Sequence, residues 1–244
     1  MFTFFRAMLY LNGMDTPLLK VQNMAVKING EDVITHLSFE VQEGETLVIL
    51  GPNGAGKTVL LKALLDILPH TGDIVWKKGV KIGYVPQRLP YVKDIPLSVQ
   101  EFFELKKVAK EDILPMLRSV GIEAGADMLK KRMGTLSSGQ FQRILVSWVL
   151  LDHPNVLLFD EPFAGVDISG KESIYELLEK LQKEKHLTIF LVSHDLSIVY
   201  SFATKVLCLN KKMVCTGTPQ EALTPENLSQ MYGWETKFYA HSHE

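Results

Sequence analysis

The stretch TLVILGPNGAGKT, residues 46–58, constrains this chain more than any other. An apolar run of strand length leads straight into a glycine-rich turn, and then into VLLKALLDIL, whose apolar residues repeat at helical spacing as far as Pro69 and Gly72. Gly51 and Gly56 stand at the spacing G-x-x-x-x-G-K-[ST], with Pro52, Asn53, Gly54 and Ala55 between them and Lys57 and Thr58 closing the motif. The N–H groups of such a loop, gathered at a helix start, surround a phosphate, and the helix dipole favours the same negative charge. Lys57 is expected to reach the β- and γ-phosphates of a nucleotide, and the Thr58 hydroxyl to ligate Mg2+. A strand before the loop and a helix after it separate this motif from a chance glycine-rich turn, so nucleotide binding is the first functional expectation.

The length of 244 residues allows one large α/β domain or one domain carrying a smaller subdomain. A net charge of −2 argues against a broad nucleic-acid footprint, which needs a basic stripe. With only Cys208 and Cys215 present, no disulfide framework is expected and a reducing, cytosolic compartment fits. No apolar run approaches the roughly 20 residues of a membrane-crossing helix; the longest, ILVSWVLL at 144–151, is far too short. The opening MFTFFRAMLYLNGMD is apolar but has neither a basic start nor a small-residue cleavage site, so it does not read as a signal peptide. Met14 looks the better start, leaving residues 1–13 as an upstream start-site choice or a short apolar tail.

Residues 18–45 alternate apolar and polar positions around the turn signal NGED at 29–32, which predicts a hairpin-like β layer feeding the phosphate-loop strand. GDIVW and KIGYVPQ are short strand candidates, the second ending at Gln87. From about 88 to 135 polar, helix-period segments take over, with Ser98 and Glu101 at capping-box spacing and Phe102 and Phe103 read as ordinary packing of one helix face. LSSGQ opens a further helix that Pro154 closes, and NVLLFDEP is a buried strand running into two carboxylates. An apolar strand ending in acid matches the second half of a phosphoryl-transfer site: Asp160 to hold Mg2+ and Glu161 to polarise the attacking water as general base. After AGVD at 164–167 come an amphipathic helix, the strand LTIFLVS ending at His194, and a closing pair, KVLCLNKK and MVCTG, with the look of a hairpin. Alternating strands and helices with polar groups at strand ends predict an α/β fold with a largely parallel sheet and ligands at its carboxyl edge.

The ordered set GPNGAGKT, Gln87, LSSGQ, LLFDE, AGVD and His194 resembles the ATP-binding cassette (ABC) ATPases, the nucleotide-binding subunits of membrane transporters. LSSGQ discriminates, because it is similar to a signature that other P-loop NTPases lack. The resemblance implies a P-loop NTPase cassette with a mostly parallel central sheet, an N-terminal antiparallel β subdomain and a helical subdomain insert. The corresponding boundaries are a 1–17 extension, an ATPase domain over 18–235 with its insert at about 88–152, and a histidine-containing tail at 236–244. It also implies a head-to-tail dimer in which Ser137, Ser138, Gly139 and Gln140 of one copy face the γ-phosphate held by the other, with Asp167 working across the interface. Gln87 is placed near Mg2+ and the attacking water, and His194 on the γ-phosphate. ATP and Mg2+ are the implied ligands. The implied partners are a polytopic permease, an extracytoplasmic metal-binding protein and a second copy, without nucleic acid, at the cytoplasmic face of the cell membrane.

Three positions depart from the family pattern. Ile28 stands where an aromatic residue usually stacks on adenine, Ser138 replaces a glycine of the signature, and Trp148 stands where arginine is frequent, on a helix expected to pack inward. EPFAGVD, with Phe163 after the proline, and the tail TPENLSQMYGWETKFYAHSHE resemble the cassettes of zinc and manganese importers. His241 and His243 could take zinc, but two histidines alone make an incomplete site, and a polar terminus is the plainer reading. Another cargo, or a soluble ABC protein without a membrane partner, are the alternatives. Deleting residues 1–13 is expected to leave ATP turnover intact, as measured by phosphate release; a chain starting at Met14 that bound and hydrolysed nothing would overturn this.

Overall fold

The computed structural model describes residues 9–11, 16–86, 96–123, 125–161 and 168–233, with backbone alone for 9–11 and 168–173. The chain divides into two compact units, one formed by Met1–Val80 with Thr188–Glu244 and the other by Lys81–Leu187.

In the first unit, β2 (Leu19–Ile28) and β3 (Glu31–Val41) form an antiparallel hairpin. Asn29 and Gly30 connect them, both with positive φ (52° and 84°), the backbone that a two-residue turn needs to match the twist of its strands. β5 (Thr71–Lys77) pairs antiparallel with β2. Residues Leu9–Leu11 form β1 and pair parallel with β5, so part of the apolar opening is an edge strand rather than a tail. A second sheet in this unit runs β10-β9-β4-β8, from β10 (Lys212–Gly217), β9 (Lys205–Asn210), β4 (Thr46–Leu50) and β8 (Thr188–Val192). β4 is parallel to both β8 and β9, and only β10 is antiparallel to its neighbour. Every residue of β4 and β8 is buried, which explains their unbroken apolar sequences: a strand covered on both faces cannot alternate.

α1 (Lys57–Leu64) ends earlier than Pro69 suggested. Asp66 takes a left-handed φ of 56°, and Ile67 N–H donates back to Lys62 O at 2.9 Å, closing the helix by its own backbone. The Trp76 indole, fully buried on β5, donates to Leu64 O at 3.2 Å and so satisfies a carbonyl that the helix end would otherwise leave unpaired.

In the second unit, β6 (Ile82–Val85) and β7 (Val156–Asp160) pair in parallel. The helices are α2 (Val99–Glu104), α3 (Lys110–Ser119), α4 (Ala126–Lys130), α5 (Ser138–Leu150) and α6 (Ile168–Lys185). α2 opens with the expected capping box: Glu101 N–H donates to Ser98 Oγ at 3.2 Å, and Ser98 N–H to Glu101 Oε2 at 2.7 Å. Phe102 and Phe103 are both buried, as ordinary packing of one face requires. The helix carrying Trp148 packs inward as expected, while Trp148 itself lies at its margin. α5 does bury Ile144–Ser147 and Val149–Leu150, but Trp148 is half-buried and faces α2. Its ring lies 5.3 Å from that of Phe102, its Nε1 donates to Phe102 O at 3.3 Å, and Lys106 Nζ sits 3.8 Å above it while also pairing with Asp152.

The two cysteines are also a correction. Cys208 and Cys215 stand opposite each other on β9 and β10 with their Cα atoms 4.9 Å apart, and the structure joins them as a disulfide. A hairpin can bring residues only seven apart in sequence into that register, which a count of cysteines does not reveal.

Helix α5 comes so close to β6 that a Cβ on Gly83 would overlap Val149 Cγ1 and stand 2.9 Å from Leu157 Cδ2. Gly83→Ala is expected to destabilise the protein by about 1–3 kcal/mol, the usual cost of overpacking. Chemical denaturation checks this, and adding Val149→Ala should recover part of the loss.

Candidate functional site

In the first unit the fold builds an anion cradle at the carboxyl end of β4. Gly54 and Gly56 hold φ of 80° and 98°, conformations that a side chain would strain, and Gly56 is the N-cap of α1 with no side-chain bond to the helix. The first turn of α1 carries no acidic residue, so its N–H groups keep their attraction for an external anion. Gly51 is glycine for a different reason: a Cβ there would overlap the carbonyl oxygen of Leu209 on β9. The turn after β9 braces the loop further, since Lys211 N–H donates to Ala55 O at 3.0 Å and Thr35 N–H donates to Lys211 O at 2.8 Å. Lys57 is buried, and its ammonium donates to Gly51 O at 2.8 Å and Pro52 O at 3.0 Å, which fixes the cation inside the loop's curve. Asn53 and Gly54 are exposed, Pro52 and Thr58 half-buried, and Ala55 is buried beneath them.

His194 belongs to the same edge. The parallel register pairs Ile49 with Val192, and Ser193 N–H continues the ladder to Ile49 O at 3.2 Å, so β4 and β8 deliver Gly51 and His194 from adjacent strand ends. His194 is exposed there. Asp195 follows it as N-cap of α7 (Leu196–Phe202), accepting from Ser197 N–H at 3.1 Å. Ile28 closes β2 beside the Asn29–Gly30 turn with 37% of its surface exposed, an aliphatic face open to solvent.

The second unit carries the acids and the signature. Asp160 ends β7 at 2% exposure, and Tyr84 on β6 donates its hydroxyl to Asp160 Oδ2 at 3.3 Å. Burial first, and then the adjacent Asp160 charge and hydrogen bond, push the Tyr84 hydroxyl well above the ordinary tyrosine range. Glu161, half-buried, takes a left-handed φ of 44°. For a residue with a side chain that conformation costs on the order of 1–3 kcal/mol, and it persists where the surrounding structure holds it. The signature opens α5 through a capping box: Gln140 N–H donates to Ser137 Oγ at 3.2 Å and Ser137 N–H to Gln140 Oε1 at 3.3 Å. Ser137 and Ser138 are exposed, and a Cβ on Gly139 would meet nothing within 4 Å. Packing among the described residues therefore does not require glycine at 139, which leaves room there for a close approach.

Gln87, Phe163, Asp167, His241 and His243 lie outside the described residues. Tyr84 and the brace from Leu209 and Lys211 were missed in the sequence. A polar aromatic in a short, half-buried strand, three residues before Gln87, was the available signal for the first; the second is backbone contact and left no signal.

The family profile described as ABC transporter matches residues 34–164. Over 233 residues the chain is 38% identical to the zinc import ATP-binding protein ZnuC of Photorhabdus laumondii subsp. laumondii, covering 93% of this chain and 90% of that protein. The protein of the same name from Buchnera aphidicola subsp. Schizaphis graminum is 34% identical, with 93% and 97% covered. Among solved structures, a metal-chelate type ABC transporter in an inward-facing conformation matches with a TM-score of 0.76 and 26% identity over 89% of each chain. With its phosphate loop, its capped LSSGQ helix and an acid-ended strand matched over more than half of its length, the chain belongs to the ABC transporter family.

Proposed function

We propose that this chain is the ATP-hydrolysing, energy-coupling subunit of a membrane importer for a divalent metal ion, zinc in the first place and manganese in the second. The observation that carries the reading is the pairing of features within one chain: a braced phosphate loop around a buried Lys57, and a capped LSSGQ helix whose Gly139 faces open space. The cargo rests on the relatives named for zinc import.

In this reading the loop N–H groups and Lys57 bind the β- and γ-phosphates. Thr58 contributes a hydroxyl and Asp160 a buried carboxylate, oxygen donors of the kind Mg2+ prefers, with Gln87 as a further ligand. When bound, Mg2+ neutralises charge on the phosphate oxygens. Glu161 accepts the proton of the attacking water, and its left-handed backbone fixes where that carboxylate points. His194 donates to the γ-phosphate. Ser137, Ser138, Gly139 and Gln140 supply hydroxyls, an amide and a helix N-terminus to the nucleotide of a second copy, with Asp167 at that interface. Closing and reopening of this head-to-tail dimer drives a polytopic permease, fed by an extracytoplasmic metal-binding protein, with the ATPase held peripherally at the cytoplasmic face of the membrane. Among the described residues no helix is long and apolar enough to cross a membrane, so in this reading the permease supplies the crossing.

Glu161→Gln is expected to keep ATP binding, to lower hydrolysis by about 10²–10⁴-fold as loss of a general base does, and to accumulate an ATP-bound dimer on size exclusion. Rapid turnover by that variant would remove Glu161 from its role. Lys57→Ala should weaken ATP binding by about 10- to 100-fold, the loss of charge-assisted hydrogen bonds, in a direct titration. Elemental analysis of cells carrying Glu161→Gln in an otherwise intact transporter tests the cargo. A selective fall in zinc is expected; a fall in another metal reassigns the cargo, and no change in any metal overturns it.

A further inference from the structure

Tyr84 has a chemistry that its place in a short strand does not require. β6 and β7 are parallel with Tyr84 opposite Leu158, so Asp160 lies two residues further along the neighbouring strand. From there the phenol reaches the carboxylate and donates to Oδ2 at 3.3 Å. Asp160 is 2% exposed, and an ionised carboxylate withdrawn from water must be held by donors or cations. The neighbouring strand residues, Gly83 and Val85, are buried and apolar, and neither offers a side-chain donor. The hydroxyl is thus the part of the β6 sequence that speaks to the acid at the end of β7.

We infer that Tyr84 is a positioning residue for magnesium: its hydroxyl holds Asp160 Oδ2 and thereby fixes the direction in which the carboxylate presents its remaining lone pairs to the cation that accompanies ATP. This rests on the assignment of Asp160 as a magnesium ligand. An ionised carboxylate has about four lone-pair sites, so accepting one hydroxyl leaves it able to meet a cation. Partners that orient a metal ligand in this way typically carry about 10- to 100-fold in metal affinity. Phenylalanine at 84 keeps the ring and its packing and removes only the oxygen, so it separates orientation from strand stability.

The test is a Mg2+ titration of the full chain with a fluorescent ATP analogue, in four forms: native, Tyr84→Phe, Asp160→Asn and the double variant. For Tyr84→Phe the Mg2+ concentration at half effect should rise on the order of 10-fold, while analogue binding in EDTA stays within about twofold of native. In the double variant the Mg2+ response should match that of Asp160→Asn alone, because the hydroxyl acts only through that carboxylate. With Mn2+ in place of Mg2+, the electron paramagnetic resonance spectrum of the nucleotide complex should differ between native and Tyr84→Phe. An unchanged titration and spectrum would overturn the inference, as would equal losses with and without metal, which is what general loosening of β6 would produce. If the native chain itself binds the analogue without any response to Mg2+, the metal-site reading of Asp160 fails, a result separable from a failure of Tyr84 alone.

Discussion

The phosphate loop depends on one close backbone approach, that of the Leu209 carbonyl to Gly51. A loop that surrounds a phosphate with N–H groups cannot use those groups to hold itself together, so its shape must come from behind. Here it comes from β9 and the turn after it: Leu209 abuts the first glycine, and Lys211 ties Ala55 on one side and Thr35 on the other by backbone hydrogen bonds. The Lys57 ammonium then ties the loop from within, donating to the Gly51 and Pro52 carbonyls. Rigid support behind the loop is what allows its concave side to be pre-organised without a ligand.

Full burial of β4, β7 and β8 forces the chemistry to strand ends. Each is an unbroken apolar run in which a charged side chain would be costly, and each changes character at its last residue or just beyond it: Gly51 after β4, Asp160 closing β7, and Ser193 and His194 after β8. Asp160 is the charged group among them that is still buried, and it is also the one given a tyrosine partner. Glu161, one residue later, leaves the strand through a left-handed turn, so two adjacent acids have different surroundings and can take different roles.

What the sequence disclosed follows from how local each interaction is. The Asn29–Gly30 turn, the Ser98 capping box and the glycine spacing of the phosphate loop are all closed within a few residues, and all were readable in the sequence; the Ser137 box at the head of α5 is equally local. The parallel character of the sheet was readable from the alternation of strands and helices with polar groups at strand ends, and the structure bears it out. Contacts set by register between distant segments were not readable: Leu209 against Gly51, Tyr84 with Asp160, Cys208 opposite Cys215, and Trp148 stacked on Phe102 beneath Lys106. Pro69 misled for a different, local reason. Proline marks where a helix cannot continue, whereas α1 had already stopped where Asp66 turned left-handed.

The absence of space at Gly51 has a consequence for inheritance. Every amino acid reachable from a glycine codon by a single base change carries a Cβ, and at this position any Cβ meets the Leu209 carbonyl before its side-chain chemistry is consulted. Every missense change at that codon therefore obliges the backbone there to shift. At Gly139 a Cβ would meet nothing within 4 Å among the described residues, so their packing imposes no such filter there. Two glycines in one polypeptide thus differ in what surrounds them, one pressed against a backbone carbonyl and the other clear of the described residues.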